Sequence, residues 1–283
     1  MEAVQGAGQD AGEHPRRTRR RRWPWVVGGL VVVVAAGAAW VTLATNHAHE
    51  VSMQQAEQHM GTGAGTPGAA DGRPAPGVYE YRGSGTEHLS LPPLSQGEGP
   101  IIPGTVTLQG VHCWVFRVDY SSHHWQTWDY CRHGADTWEA GGQTWQLWAV
   151  GPLNVTNTST FHCAPKTMSL PGSASPGQQW WGHCTGTNTS VSGTTVSAGP
   201  YRFIGLSTMS VGGRAVRAAE FLRLRSDTGA QHGTERSEVW LDASTGLPLR
   251  LQQSITVTTD TEFGTSTYTQ KGVLTLASLS VHR

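Results

Sequence analysis

The stretch LPLRLQQSITVTT, residues 247–259, alternates apolar and polar side chains. One set of alternate positions is apolar, namely Leu247, Leu249, Leu251, Ile255 and Val257. The positions between them are polar, namely Arg250, Gln252, Ser254, Thr256 and Thr258. Successive side chains of a β-strand point to opposite faces of its sheet, so this pattern is typical of a strand with one buried face and one wet face. The stretch therefore predicts an antiparallel strand.

Two further stretches show the same alternation. In the first, the apolar residues Trp114, Phe116, Val118 and Tyr120 alternate with Arg117 and Asp119. In the second, Val216, Ala218, Leu222 and Leu224 alternate with Arg217, Arg223 and Arg225. By the same rule we expect the apolar members to be buried and the charged members to face solvent.

The outer part of the chain is predicted to be mainly β. Tyr201 to the end divides into four or five successive strands, and no amphipathic helix of 12 or more residues is found after residue 78. Gly141-Gly142 and Gly212-Gly213 each separate two alternating runs and predict hairpin turns. Residues 92–104 and 164–179 are predicted to be long loops. The expected fold is a large curved antiparallel meander, half-barrel-like, whose apolar face meets itself or a loop.

A membrane anchor is predicted near the N-terminus. The run WPWVVGGLVVVVAAGAAWVTLA, residues 23–44, carries no charge. As a helix it would span roughly 33 Å, enough for a hydrocarbon core of about 30 Å. Six arginines precede it, at positions 16, 17, 19, 20, 21 and 22. Arginine-rich flanks stay on the cytoplasmic side, so the N-terminus is expected inside and the rest of the chain outside the cell membrane.

This topology gives four segments. They are a cytoplasmic tail (1–22), a single-pass transmembrane helix (23–44), a flexible linker (45–77) and an extracytoplasmic β domain (78–283). Within the linker, Glu50 to Met60 has the composition of a short helix. The alternative for residues 23–44 is a cleaved signal peptide, including a twin-arginine export signal. The apolar run is longer than the usual signal-peptide core of about 7–15 residues and no clear A-x-A site follows, which favours the anchor.

The four cysteines all lie in the predicted outer domain. An even number of cysteines in an oxidising compartment indicates disulfides. We favour Cys113–Cys131 and Cys163–Cys184 among the three possible connectivities, because each closes a short loop between neighbouring strands. His112, His162 and His183 each precede a cysteine, so a Cys/His metal site is the alternative. Neighbouring residues on a strand face opposite ways and no C-x₂-C spacing occurs, so no metal site is predicted.

Nine of the twelve tryptophans lie in the predicted outer domain. Such a set can build the core of a β-sheet or line a groove for an apolar or sugar ligand. Alternation places Trp145 and Trp148 on opposite faces, so the tryptophans cannot all serve one core. The candidate ligand-binding residues, chosen for aromatic character and strand position, are Tyr79, Tyr81, Trp114, Phe116 and Trp145.

No catalytic motif is recognised in this chain. It lacks a G-x-S-x-G elbow, an HExxH zinc motif and a phosphate loop. The run from Asp119 to His124 contains catalytic residue types, but in a hairpin it is more typical of a turn. The outer part has no basic face that would indicate nucleic-acid binding. We therefore predict a non-enzyme without cofactor or nucleic-acid partner.

The stretch VWLDASTGLPLR, residues 239–250, resembles the W-x-D-x-x-T-G-L-P-x-R hairpin of the superfamily that includes LolA-type carriers, LppX-type lipoproteins and RseB-type regulators. The resemblance implies a curved antiparallel sheet around a hydrophobic cavity, and binding of acyl chains or lipoproteins. The Arg-rich tail and the Ala/Gly/Pro linker also resemble those of single-pass membrane proteins of actinobacteria.

Three functions are compatible with these features. The first is a membrane-anchored β domain that binds a hydrophobic or amphiphilic ligand, such as a lipid or lipoprotein. The second is a cell-envelope protein-interaction or stress-sensing module without a small ligand, acting with a membrane protein partner. The third is a cell-wall enzyme or glycan binder. The first is the primary prediction.

Overall fold

A computed structural model describes residues 48–60, 72–150, 152–164, 167–170, 172–262 and 264–282. One helix and 14 strands are formed along these ranges. The helix and the first seven strands are α1 (Met53–Met60), β1 (Gly77–Ser90), β2 (Pro93–Glu98), β3 (Ile101–Gln109), β4 (Cys113–Ser121), β5 (His124–His133), β6 (Asp136–Val150) and β7 (Leu153–Cys163). The remaining strands are β8 (Met168–Leu170), β9 (Gln179–Asn188), β10 (Val191–Val211), β11 (Arg214–Gly229), β12 (His232–Asp242), β13 (Pro248–Thr261) and β14 (Gly264–Leu276).

The strands form a closed antiparallel barrel of 12 strands. Each strand pairs with its neighbour from β3 round to β14, and β14 then pairs with β1 from Tyr81↔Leu276 to Leu89↔Tyr268. The predicted mainly-β fold is confirmed, whereas the predicted half-barrel is wrong. Closure pairs the backbone N–H and C=O groups along the edge of β1, which an open sheet would leave exposed.

Two short strands, β2 and β8, extend the walls of this barrel. Strand β2 pairs with β1 along Gly85–Ser90, next to the segment Gly77–Arg82 of β1 that pairs with β3. Similarly, β8 continues the line of β7 along β6. The prediction that residues 92–104 form a loop was therefore wrong. The prolines and glycines that suggested a loop lie at the start of β2, at the β2–β3 break and within β3.

The inward face follows the predicted alternation in most strands. Trp114, Phe116 and Val118 of β4 are buried, as are Leu249 and Leu251 of β13. They belong to one large apolar cluster that also takes in Tyr81, Tyr201, Phe221, Leu241 and Leu274. This cluster fills the half of the barrel that contains the β3–β4, β5–β6, β10–β11 and β12–β13 connections. We call it the apolar half.

Strand β11 follows the prediction in its first part, where Val216 and Ala218 are buried and Arg217 is exposed, but has the opposite orientation in its second part. Arg223 and Arg225 are only 3% and 8% exposed, whereas Leu224 is 37% exposed. Phe221 is the inward partner of Val239 on β12, which turns Arg223 and Arg225 inward as well. Carboxylates on β6 and β12 pair with these arginines, so burial of the guanidinium groups is compensated.

The two predicted glycine turns have different outcomes. Gly212-Gly213 forms the β10–β11 turn, and both residues have positive φ angles of 55° and 79°. Gly141-Gly142 instead lies inside β6, next to an irregularity in the β5–β6 register. A Cβ atom on Gly141 would lie 2.3 Å from the carbonyl oxygen of Phe161, so this pair of glycines permits close strand approach.

Both predicted disulfides are confirmed. Cys113 and Cys131 are paired residues of β4 and β5. Cys163 and Cys184 are paired residues of β7 and β9. The second disulfide joins two strands that are connected by a long excursion through β8, where no tight hairpin fixes the register.

Helix α1 lies against the outside of the barrel. It falls within the predicted short helix at Glu50 to Met60. Val51 and Ala56 pack with Val78 of β1. The backbone of His49 also exchanges a hydrogen bond with the backbone of Ser122, in the β4–β5 turn. This first part of the predicted linker is thus attached to the barrel wall.

No helix within the described ranges is long and apolar enough to cross a membrane. The predicted transmembrane segment, residues 23–44, lies outside the described residues.

Candidate functional site: a cavity in the polar half of the barrel

The barrel encloses a cavity of about 340 Å³. It lies beyond the apolar half, towards the end that carries the β1–β2, β6–β7, β9–β10 and β13–β14 turns. Leu91 and Val155 line it near this end and are 40% and 45% exposed. The cavity therefore opens to solvent there, and its volume is at the lower end of the range for small-molecule sites.

One part of the cavity wall is aromatic and aliphatic. Trp148 of β6 and Tyr268 of β14 make an edge-to-face contact, with ring centroids 6.4 Å apart. Trp128 of β5 stacks on Phe116 at 5.8 Å, which joins the cavity wall to the apolar half. Further apolar lining residues are Leu89, Val150, Phe161, Val191, Ile255 and Val257. Such a surface favours a ligand with a substantial apolar part.

Buried charged residues form another part of the cavity lining. Arg225 Nη2 lies 2.9 Å from Glu139 Oε2, and Arg223 Nη1 lies 3.5 Å from the same oxygen. Arg223 also pairs with Glu235. Burial alone would raise the pKa of Glu235, but Arg223 and Arg225 together lower it. The Tyr201 hydroxyl donates to Glu139 over 2.9 Å and is also contacted by Arg225, so the network is anchored in the apolar half.

The charges of this wall nearly cancel. Two arginines face Glu139 and Glu235, and the remaining charged lining residue is Asp227. Burial raises the pKa of the Asp227 carboxyl, which disfavours its charged form. Because both guanidinium groups are already paired with carboxylates, the cavity offers no surplus positive charge among its described lining residues. It is suited to an uncharged polar group rather than to an anion.

Amides and hydroxyls complete the polar part of the lining. They are contributed by Gln126, Gln146, Asn157, Ser159, Asn188, Ser197, Gln231 and Gln270. The side-chain oxygens of Gln126 and Asn157 are buried and have no hydrogen-bond partner within the described part of the chain. Buried acceptors of this kind are usually satisfied by ordered water or by a ligand.

The aromatic residues chosen from the sequence do not line this cavity. Tyr79, Tyr81, Trp114 and Phe116 are 0–2% exposed and belong to the apolar half. Trp145 lies on the outer surface, where it stacks on Trp125 with a centroid distance of 6.3 Å. Trp148, on the opposite face of β6 as predicted, does line the cavity. Aromatic character identified large inward-facing residues, but it did not indicate which half of the barrel contains them.

The residues that indicate the cavity in the sequence are polar rather than aromatic. Strand β7 reads LNVTNTSTFHC, and its inward positions Val155, Asn157, Ser159 and Phe161 all line the cavity. Small and polar side chains at inward positions leave the space that aromatic residues fill elsewhere. Inward polar residues bounded by inward apolar residues are thus the pattern that could have located the site.

Comparison with known proteins gives a structural similarity and no family. No protein-family model matches the chain, and no curated protein matches it. A solved structure described as the hypothetical lipoprotein YmcC from Escherichia coli is similar with a TM-score of 0.32 and 11% sequence identity. The alignment covers 79% of this chain and 97% of that one.

Proposed function

We propose that this protein is a membrane-anchored, extracytoplasmic binding protein that holds one small amphiphilic ligand, such as part of a lipid or a lipoprotein acyl group, in its barrel. The observation that carries the proposal is the 340 Å³ cavity, whose lining combines aromatic and aliphatic side chains with amides and paired charges. An apolar cavity alone would fit many hydrophobes. The mixed lining favours a molecule with an apolar part and an uncharged polar part.

The proposal includes where the protein acts. The uncharged run at residues 23–44 behind six arginines would anchor the chain, and the two disulfides suit an oxidising compartment. A volume of about 340 Å³ is too small for a whole phospholipid with two chains. The ligand would therefore be a single-chain molecule, or one chain of a larger molecule whose remainder stays at the rim.

A substitution that fills the cavity tests this proposal. Val257 points into the cavity from β13, whereas its neighbour Thr256 is exposed on the outer face. We expect Val257→Trp to reduce binding of the neutral probe 1-N-phenylnaphthylamine at least about tenfold, because the indole occupies the apolar wall. Thr256→Trp adds the same side chain outside and should leave binding unchanged. Fluorescence titration of both variants measures this difference.

A second probe tests whether the cavity prefers a neutral or an anionic ligand. The anionic probe 8-anilino-1-naphthalenesulfonate should bind the unmodified protein more weakly than the neutral probe, since the guanidinium groups are already paired. Equal binding of the neutral probe to Val257→Trp and to the unmodified chain would contradict the cavity as the binding site. Tighter binding of the anionic probe would contradict the uncharged polar end.

A second function is favoured by an outer surface. Trp181 on β9 and Leu224 on β11 are 65% and 37% exposed and flank Pro200 on β10, the strand between them. An exposed apolar row across three strands is typical of a protein contact. It supports the alternative of a cell-envelope interaction module. Crosslinking in intact cells through position 181, compared with the inward position 197, would identify such a partner.

A further inference from the structure

A second polar cluster lies in the barrel wall outside the cavity lining. It consists of Glu87 on β1, Glu98 on β2 and His124 on β5, and we call it the Glu–Glu–His cluster. The three side chains are at most 1% exposed. One ligand atom from each residue lies within 4.8 Å of the other two. Glu87 and Glu98 lie on paired strands of one hairpin, and folding of the sheet brings His124 of β5 to them.

We propose that the Glu–Glu–His cluster binds one divalent first-row transition-metal ion, of the zinc class. Carboxylate oxygens and an imidazole nitrogen are common protein ligands of such ions. At metal–ligand bonds of about 2.0–2.2 Å, two ligands of one tetrahedral ion lie roughly 3.4 Å apart. His124 Nδ1 lies 3.7 Å from Glu98 Oε1 and is in contact with Glu87 Oε1, so small side-chain shifts would bring them to that spacing.

The hydrogen bonding of the cluster leaves the ligand atoms facing one another. Gln96 Nε2 donates to Glu87 Oε2 over 2.7 Å, so Glu87 Oε1 is directed to the imidazole. His124 is fully buried, and its Nδ1 contacts Glu87 Oε1, whereas its Nε2 has no hydrogen-bond partner within the described ranges. A buried imidazole that is held between two carboxylates and leaves one ring nitrogen unsatisfied is unfavourable as a structural element alone.

The surroundings of the cluster resemble the outer shell of a metal site. Gln270 Nε2 donates to Glu98 Oε1 over 2.7 Å, and the ring of Tyr120 stacks on His124 at 4.8 Å. The Tyr120 hydroxyl is in turn held by Gln253. Hydrogen bonds to ligating carboxylates and a fixed imidazole ring are the features that orient metal ligands.

The charge of the cluster also favours a cation. Within the described ranges no lysine or arginine forms an ion pair with Glu87 or Glu98. Two carboxylates beside one imidazole leave the cluster with a net negative charge even when the ring is protonated, and a divalent ion would neutralise it.

An ion has a route to the cluster. Gln270 lines the cavity and touches Glu98, and Gln146 lines the cavity and is the strand partner of His124. The cluster is thus one side chain away from the solvent-connected cavity. The proposal does not depend on the identity of the cavity ligand.

The test uses the full chain, purified in mild detergent and stripped with a chelator. Titration with Zn²⁺ alone, followed by desalting and elemental analysis, should give one tightly held ion per chain. Glu98→Gln removes a ligand charge at constant shape and should weaken Zn²⁺ binding by about 100-fold or more. Gln270→Met leaves the three ligands in place, removes the hydrogen bonds of Gln270 with Glu98 and Tyr268, and should weaken Zn²⁺ binding by about 10–100-fold.

Two controls keep the result interpretable. Replacing His47, His49, His59 and His123 together by glutamine removes the histidines of the linker and the β4–β5 turn, and should leave the bound ion in place. Near-UV circular dichroism checks that Glu98→Gln is folded, which we expect because the change removes surplus buried charge. Absence of tightly bound Zn²⁺ in the folded parent, unchanged affinity in folded Glu98→Gln, or loss in the four-histidine variant would overturn the proposal.

Discussion

At the scale of single residues, the sequence predicted the apolar inward positions better than the charged ones. Trp114 and Leu251 are buried where alternation placed them. Arg223 and Arg225 were expected to face solvent, because an unpaired buried guanidinium is very unfavourable. Their partner Glu139 lies more than eighty residues earlier on β6, and no local pattern indicates that these strands face each other across the lumen.

The same limit applies to His124. Its position in the run from Asp119 to His124 suggested a turn, and the turn is formed by Ser122 and His123, directly before His124 opens β5. The two carboxylates beside it come from β1 and β2. Pairing through β3 and β4 and curvature of the sheet place His124 beside them, so the sequence could name the residue types but not the cluster.

The buried network of Glu139 is expected to stabilise the fold strongly. Glu139→Gln would leave Arg223 and Arg225 with Glu235 as their remaining carboxylate partner in this network. Removing one partner of a buried ion pair costs about 3–5 kcal/mol, because the other charge stays desolvated. We expect the free energy of unfolding to fall by this amount in denaturant titrations followed by tryptophan fluorescence.

The matched control is an ion pair on the outer surface. Arg236 and Glu238 are 54% and 31% exposed at their side chains. Glu238→Gln should therefore cost no more than about 1 kcal/mol. Equal losses in the two variants would show that the Glu139 network does not hold β6 to β11.

At the scale of strands and turns, local patterns were most informative where hairpins are tight. The turn from Asp242 to Gly246, expected within the hairpin at residues 239–250, is formed, and Asp242 Oδ1 accepts a hydrogen bond from the backbone of Ser244. The hairpin turn predicted at Gly141-Gly142 was wrong, because a pair of glycines permits either a turn or the close approach of two strands. The sequence alone does not distinguish these two uses.

The seam between β7 and β9 is expected to depend on its disulfide. These strands pair over only five residues, from Ser159↔Asn188 to Cys163↔Cys184. Loss of the Cys163–Cys184 bridge through a double serine substitution should cost about 3 kcal/mol and increase amide hydrogen exchange in β7 and β9.

The bridge between β4 and β5 provides the comparison. Cys113 and Cys131 close a loop of similar length, with a sequence separation of 18 against 21. Its removal should have a similar cost but leave exchange in β7 and β9 unchanged, because a tight hairpin holds β4 to β5. Faster exchange of β7 and β9 in both variants would contradict a specific role for the second bridge.

At the scale of the whole molecule, the strands were predictable but their closure was not. Pairing of β14 with β1 joins residues at opposite ends of the described chain, such as Leu276 and Tyr81. Alternation defines which face of each strand is buried, yet it does not specify which edges meet. Closure turns the curved sheet into a barrel. Large aromatic side chains fill one half of that barrel, and smaller polar side chains in the other half leave the cavity.

The central claim is that the barrel cavity holds one small amphiphilic ligand with an uncharged polar part. Native mass spectrometry of the full chain, purified from the membranes of its own host, tests it most directly. We predict one bound single-chain molecule per protein, released on unfolding and absent from Val257→Trp but present on Thr256→Trp. A parent protein that is ligand-free throughout, or the same adduct on Val257→Trp, would contradict the claim.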